Sequence, residues 1–341
     1  MNIIDKSKFL FCFIIILELI IIKFIGLTIY KKKVLNTSIN IDPLHKENLI
    51  FSSEDELTYF YEPKPNTVEN EDQKSWLSEQ ITYTINSDSL NERYDYPVKK
   101  EKNIYRIITL GDSFTFGQYV NTSDNWPERL ENLLNTKIIC KNISHIEVIN
   151  LGESGYDMDY SAHRYIKRGE KYSPDLLLWL LLDNDFFAVN DVMMEKINEL
   201  EENATEKEKQ EIKNNKDVYR FVRQANEYII KKYGEKQLFD HHNVIMSTFL
   251  KKLTTPLVFF TFSNLPDDYK KWMSLWPSYN KSLPIFLYHN LPNIIEQKGT
   301  YEPYDFHPNT KGHELIAESI FTYLTLNKLI PCESSQSSNL Q

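Results

Sequence analysis

Four stretches of the chain carry residue types suited to nucleophilic chemistry. The first is Arg106-Ile-Ile-Thr-Leu-Gly-Asp-Ser-Phe-Thr-Phe-Gly117. Its apolar run Ile107–Leu110 has the length and β-branching of a buried strand. Gly111 ends the run, and Asp112 and Ser113 follow at once. The pattern predicts Ser113 at the C-terminal end of a strand, on a tight turn into a helix, the edge at which open α/β sheets bind ligands. A serine there presents its hydroxyl and its own backbone N–H to a substrate, as a nucleophile must. Taken alone, Asp112 and Ser113 serve equally well as an ordinary helix cap.

The other three stretches add partners. Val148-Ile-Asn-Leu-Gly-Glu-Ser-Gly-Tyr156 reads as a strand running into Gly152 and Gly155, which permit a sharp turn and a close backbone approach. Here a free N–H at Gly155 would face the same rim as Ser113; an ordinary strand-to-helix turn is the alternative. Leu176-Leu-Leu-Trp-Leu-Leu-Leu-Asp-Asn-Asp185 is a fully apolar strand that delivers Asp183, Asn184 and Asp185 to that edge. Asn184 is neutral and can donate an N–H to a developing oxyanion, which a carboxylate cannot; a cap or Asx-turn is the plainer role. In Tyr304-Asp-Phe-His-Pro-Asn-Thr-Lys-Gly-His313, His307 is suited to general-base work and Asp305 to holding its tautomer. Pro308 opens the helix that follows, and His313, inside that helix, reads as structural.

The elements that must position these residues alternate strand and helix. Strands are expected at 106–110, 146–151, 175–182 and 256–262, with a short fifth at 284–288. Helices are expected at 126–134, 157–170 and 311–327. This rhythm implies a parallel sheet covered on both faces. Residues 191–255 interrupt it. Glu195–Lys216 is dense in Glu, Lys and Asn and reads as a solvated helix face. Asp217–Tyr233 places Val218, Phe221, Val222, Ala225, Tyr228 and Ile229 on one side of a helix. Together they suggest a helical insertion over the C-terminal side of the sheet. His241 and His242 are adjacent, and adjacent strand residues face opposite ways, so no joint metal site is expected.

The remaining features bound the class. The chain has 341 residues, 41% hydrophobic and 26% charged, with a net charge of −9, which argues against a nucleic-acid partner. Cys12, Cys140 and Cys332 lack metal-ligand spacing; Cys140 and Cys332 are free to pair in an oxidising compartment, although sequence alone does not bring them together. Residues 9–30 are apolar over a bilayer's width, interrupted by Glu18 and Lys23. No small-x-small cleavage site follows, only Lys31, Lys32 and Lys33, so an uncleaved anchor is expected rather than a removed signal. The organisation read here is a flank 1–8, an anchor 9–30, a linker 31–60 and a lead-in region 61–105 packed beside the sheet. The main domain, 106–330, carries the insertion 191–255, and a flexible tail, 331–341, ends the chain. Within the lead-in, Gln80–Asn86 alternates like a half-buried strand.

In their order and spacing the four stretches resemble the SGNH (GDSL-type) hydrolase family. Gly111-Asp112-Ser113 matches its first block, Gly155 its second-block glycine, Asn184 its third-block asparagine, and Asp305 with His307 its last block. Phe114-Thr-Phe-Gly117, Ile85-Asn-Ser87, Tyr105-Arg-Ile107 and Leu17-Glu-Leu19 are similar to a membrane-anchored bacterial subgroup. The resemblance spans about residues 80–190 and 300–325; the insertion matches nothing familiar. It implies a three-layer α/β/α, flavodoxin-like parallel sheet and ester hydrolysis through an acyl-serine, with no cofactor and no metal. Ser113 would attack, His307 take its proton and Asp305 orient His307. The Ser113 N–H, the Gly155 N–H and the Asn184 side chain would hold the oxyanion. Leu182 stands where the family often has glycine, which narrows the expected loop, and Ser89 replaces a common glycine in the lead-in. The substrate implied is an O-acetyl or other O-acyl ester on a carbohydrate or cell-envelope polymer. An O-acyltransferase using the same site, or a non-catalytic binding protein that kept the fold, are the alternatives. By resemblance the catalytic domain lies outside the cytoplasm. Lys31–Lys33 oppose that placement by the charge rule, against only Lys6 and Lys8 before the anchor, but the rule weakens for long domains translocated as a unit.

Overall fold

The computed structural model describes residues 49–51, 61–213 and 220–332. The expected flank, the anchor at 9–30, most of the linker, Val218 and the last nine residues of the tail lie outside these. Among the described residues no helix is long and apolar enough to cross a membrane.

The lead-in comes first. β1 (Leu49–Phe51) pairs antiparallel with β2 (Tyr61–Pro63), and β3 (Thr67–Asn70) pairs antiparallel with β4 (Thr82–Ile85). The alternation read over 80–86 is therefore β4, with Tyr83 and Ile85 turned inward. Part of the expected linker is the short strand β1.

The main sheet has five strands: β5 (Ile104–Leu110), β6 (His145–Asn150), β7 (Leu176–Leu180), β8 (Leu257–Phe262) and β9 (Ile285–Leu291). All pair in parallel, in the order β6-β5-β7-β8-β9. Counted within the sheet this is 2-1-3-4-5, the flavodoxin-like order, whose switch point lies between the first and third strands. That point is the gap between β5 and β7. Every residue of β7 is buried, because a central parallel strand is covered on both sides.

Strand residues alternate between two cores. Ile107, Val148, Leu176, Leu178, Leu180, Val258 and Phe260 face α2 (Trp126–Lys137) and α9 (Thr310–Leu326). Ile108, Leu110, Ile149, Leu177, Trp179, Leu257 and Phe259 face the opposite layer. There stand α3 (Met158–Arg164), α7 (Glu235–Lys252) and α8 (Asp267–Met273). Past α3 the chain continues through a π-helical turn at Tyr165–Gly169, so the expected single helix 157–170 is broken.

Between β7 and β8 lie α4 (Asn190–Asn203), α5 (Glu206–Lys213), α6 (Arg220–Tyr233) and then α7. Phe221, Ala225 and Ile229 form the buried side of α6. The segment 191–255 is not all addition, however. Met246, Phe249 and Leu250 of α7 sit in the sheet-covering core, so α7 is the crossover helix that a right-handed β7–β8 connection requires. His241 and His242 consequently lie on a helix, not on a strand; their run is continuous with the apolar spacing of Leu238, His242, Met246 and Phe249.

Two long-range ties fasten the C-terminal end. Cys332, expected in a flexible tail, is disulfide-bonded to Cys140 across 192 residues. Closing a loop of that length removes denatured-chain entropy worth about 5 kcal/mol in the chain-entropy model. The fully buried His313 of α9 accepts at Nδ1 the backbone N–H of Trp126, the first residue of α2, at 3.2 Å. This confirms the structural reading of His313.

Burial pushes the His313 imidazole down to about 3, with the positive charge of Arg129 as a further cause. A histidine depressed below its unfolded value of about 6.5 favours the folded state above that pH and loses stability as pH falls toward the folded value. Urea titrations from pH 7 to pH 4 should show His313→Asn losing less stability on acidification than the native chain. The expected difference is about 1.4 kcal/mol per pH unit below about 6.5. Equal pH slopes would place the titrating group elsewhere.

Candidate active site

Ser113 begins α1 (Ser113–Phe116), a single turn that follows β5 after Gly111 and Asp112. Asp112 is the cap: its side chain accepts the Phe114 N–H at 3.0 Å. Capping and presentation of Ser113 are thus one device, since the cap fixes the turn on which the hydroxyl stands. His307 comes from the far end of the chain, on the loop that precedes α9. Thr300 bridges Pro308 and the Tyr301 N–H donates to the His307 carbonyl, which folds this loop back on itself. Asn309 ends the loop by capping α9 at the Lys311 and Gly312 N–H groups.

The loop delivers His307 to Ser113. His307 Nε2 lies 2.8 Å from Ser113 Oγ, and Nδ1 lies 2.6 Å from Asp305 Oδ1. The same carboxylate oxygen accepts the His307 backbone N–H at 2.8 Å. Ser113, Asp305 and His307 are only 8%, 6% and 3% exposed. A carboxylate is acceptor-only, so Nδ1 donates to Asp305 and Nε2 is left to accept from the serine hydroxyl. Rings of Phe114, Tyr119 and Phe306 surround the imidazole at 5.5, 5.4 and 4.6 Å between centroids.

The three expected oxyanion donors sit at the C-terminal ends of three neighbouring strands: Ser113 after β5, Gly155 after β6 and Asn184 after β7. Among the described residues neither the Ser113 N–H, the Gly155 N–H nor the Asn184 side-chain amide donates to another protein group. For Ser113 this follows from its place at a helix start, where N–H groups have no intrahelical acceptor. Asn184 opens a short 3₁₀ turn, Asn184–Phe186, but it is Asp183 that caps it, accepting the Asn184 N–H at 2.9 Å. The Asn184 side chain is therefore not consumed by the cap.

The turn after β6 is held against α1. Asn150 donates to the Thr115 carbonyl at 2.9 Å and accepts the Gly152 N–H at 2.9 Å. A Cβ at Gly152 would fall 2.5 Å from the Phe116 nitrogen and 2.6 Å from the Thr115 carbonyl carbon. Gly155 has φ +77°, the left-handed region that favours glycine.

Beside Asn184 opens a cavity of about 220 Å³ with Phe114, Leu182, Phe262, Leu265 and Phe306 among its walls. Leu182, where the resemblance often implies glycine, is one wall of this cavity. Two buried carboxyls, those of Asp112 and Asp185, adjoin the site. Burial pushes Asp112 up to about 6, against the Phe114 N–H and His307. Asp185, which accepts the Leu182 N–H at 2.8 Å, is held well above the usual carboxylate range by burial and then by Asp112. For Asp185 the sequence signal is its position at the strand end.

Residues 107–320 match the family described as GDSL-like Lipase/Acylhydrolase. No curated protein matches the chain. Among solved structures, the chain is similar to the psychrotrophic esterase EstA from Pseudoalteromonas sp. (15% identity, 66% of this chain and 98% of that one, TM-score 0.38). It is also similar to a family 3 carbohydrate esterase from Clostridium thermocellum (14% identity, 67% and 100%, TM-score 0.36). A two-domain esterase active on acetylated mannans is a further likeness (15% identity, 68% and 51%, TM-score 0.37).

The contact at Gly152 is with backbone, which cannot swing aside. Gly152→Ala should therefore destabilise the fold by about 3 kcal/mol or more. Denaturant unfolding checks this, and a variant within about 1 kcal/mol of the native chain would show that the two turns are not tightly seated.

Proposed function

Because the chain belongs to the GDSL-like lipase/acylhydrolase family, and is an ester hydrolase, we propose that it cleaves O-acyl esters of a carbohydrate or cell-envelope polymer through an acyl-serine on Ser113. The observation that carries this reading is the continuous chain Asp305–His307–Ser113, with contacts of 2.6 and 2.8 Å. Ser113 Oγ attacks the ester carbonyl carbon while His307 Nε2 takes the hydroxyl proton. Asp305 stabilises the imidazolium so formed. The carbonyl oxygen becomes an oxyanion and accepts from the Ser113 N–H, the Gly155 N–H and the Asn184 amide. Collapse expels the alcohol, which receives its proton from His307. Water, deprotonated by His307 in turn, then cleaves the acyl-serine.

The cavity at Phe114, Leu182 and Phe262 supports seating an apolar acyl group next to Asn184. Tyr304 and Phe306, 68% and 47% exposed on the loop that carries Asp305, offer flat ring faces to a sugar. Turnover of p-nitrophenyl acetate tests the assignment. Ser113→Ala should remove activity by about 10⁴-fold or more while folding normally. Asn184→Ala should lower kcat by about 10²–10³-fold with KM little changed. A folded Ser113→Ala that turns over at the native rate would refute the acyl-serine route.

We further propose that residues 9–30 anchor the chain and that the catalytic domain faces away from the cytoplasm. The Cys140–Cys332 disulfide supports this, since such bonds persist in oxidising compartments. A protease added to intact cells should then digest the domain; protection until the membrane is breached would place it inside.

A further inference from the structure

The Gly155 N–H belongs to the peptide between Ser154 and Gly155, and that peptide's carbonyl is not free. The hydroxyl of Tyr61 donates to the Ser154 carbonyl oxygen, from a tyrosine 2% exposed in β2. In a planar peptide the C=O and N–H point in opposite directions, so fixing one fixes the other. A donor on the carbonyl also polarises the amide and strengthens its N–H as a donor. The Gly155 conformation leaves room for this contact: a Cβ there would lie 2.9 Å from the Tyr61 hydroxyl. On the far side of Gly155, its own carbonyl accepts from Asn190 Nδ2 at 2.7 Å. The peptide is therefore pinned on its carbonyl side, while its N–H has no acceptor among the described residues.

We propose that Tyr61 is a positioning residue for ester hydrolysis: its hydroxyl sets the orientation and donor strength of the Gly155 N–H in the oxyanion site. This rests on the reading of Gly155 as an oxyanion donor. Tyr61 lies outside residues 107–320, the span of the family match, and belongs to the lead-in. Burial, and next the negative charge of Glu153, push the Tyr61 phenol well above its ordinary value, so it stays a donor across the working pH range.

The neighbouring Tyr156 provides a control. Its hydroxyl donates to the Tyr61 backbone carbonyl, and the two rings meet edge to face at 5.3 Å. Tyr156→Phe loosens the same strand without touching the Ser154 carbonyl. Tyr61→Phe removes only the hydroxyl and keeps the ring contact.

The full chain labelled with [¹⁵N]glycine gives a spectrum of nine glycines, in which the Gly155 resonance is identified by its loss in Gly155→Ala. In Tyr61→Phe the Gly155 resonance should move, and kcat for p-nitrophenyl acetate should fall about 5- to 20-fold with KM unchanged, a smaller loss than removing an oxyanion donor outright. Tyr156→Phe should keep kcat within about 2-fold of native. An unmoved Gly155 resonance overturns the proposal. So does a normal kcat in Tyr61→Phe when Ser113→Ala is inactive, or an equal loss in Tyr156→Phe, which would make the role structural docking. If the native chain turns over no ester, the oxyanion reading fails and takes the catalytic part of the proposal with it. The resonance shift then still decides whether the hydroxyl sets this peptide.

Discussion

The hydrogen bond between His307 and Ser113 joins residues 194 apart in sequence, and most of the architecture serves to make that meeting possible. A histidine on a loop is useless as a base unless the loop is held to the strand that carries its partner, because a displacement of about 1 Å at such a contact costs rate steeply. The chain meets this demand by tying its C-terminal segment to the first βα unit along its whole length. His307 reaches Ser113, and six residues on His313 reaches Trp126. Leu329 accepts from the Tyr105 hydroxyl at 3.0 Å, and Cys332 closes onto Cys140. Between these ties Ile316, Ala317, Ile320 and Leu324 of α9 pack into the core that holds Leu130 and Leu134 of α2. The His307–Ser113 contact is thus one rung of a ladder rather than an isolated reach.

The electrostatics around the ladder are arranged in the same spirit. Behind the turn after β6, and at the opposite end of β5, buried arginines are paired with carboxylates. Arg164 and Glu153 meet at 2.7 Å with both side chains fully buried, and Arg106 meets Glu147 at 2.6 Å while donating to the carbonyls of Tyr172 and Pro97. Breaking a buried pair is costly because the surviving charge stays desolvated. Arg106 thereby clamps the end of the lead-in onto β5 and β6. Glu153, two residues before Gly155, is pushed up to about 7 by burial despite Arg164. The turn that carries the Gly155 N–H is therefore anchored by an ion pair on one residue, an inserted Asn150 side chain and a tyrosine hydroxyl. Three kinds of contact thus hold this one turn.

The sheet was readable from sequence because parallel strands covered on both faces are continuous apolar runs bounded by turns: Ile107–Leu110 and Leu176–Leu182 could be little else. Strand ends were readable for the same reason, and with them the placement of Ser113, Gly155 and Asn184 on neighbouring ends. Asp305 and His307 were found as a local pair, since two residues suffice to bring their side chains together. What depended on closure in three dimensions was not readable. Cys140 and Cys332 carry no sign of proximity until α2 and α9 lie side by side. The apolar spacing of α7 follows directly on a charged stretch, which hides it within the insertion and with it the helical setting of His241 and His242. Tyr61 sits in a short segment, Phe60-Tyr-Glu-Pro63, that has no period and no motif; only the fold shows where its hydroxyl goes.

The place of Tyr61 bears on where the packed unit around Ser113 begins. The family match starts at residue 107, yet the turn that presents Ser113 does not stand by itself. Asn91 donates to the Phe116 carbonyl at 2.8 Å, the Tyr83 hydroxyl accepts the Tyr119 N–H at 2.9 Å, and Arg93 pairs with the buried Glu128 of α2. Tyr61, Ile81, Tyr83 and Ile85 share one core with Phe116, Tyr119, Tyr156 and Tyr160, and Met194, Ile197, Phe221 and Ala225 of α4 and α6 close it from the other side. Lead-in and insertion therefore meet over the turns after β5 and β6. Neither extends the sheet, and both bury the backs of the two turns that carry Ser113 and Gly155. A fold of this order leaves those turns at its rim, exposed to fraying. The lead-in together with α4 and α6 supplies that cover, so the packed unit around Ser113 takes in residues before 107, where the family match begins.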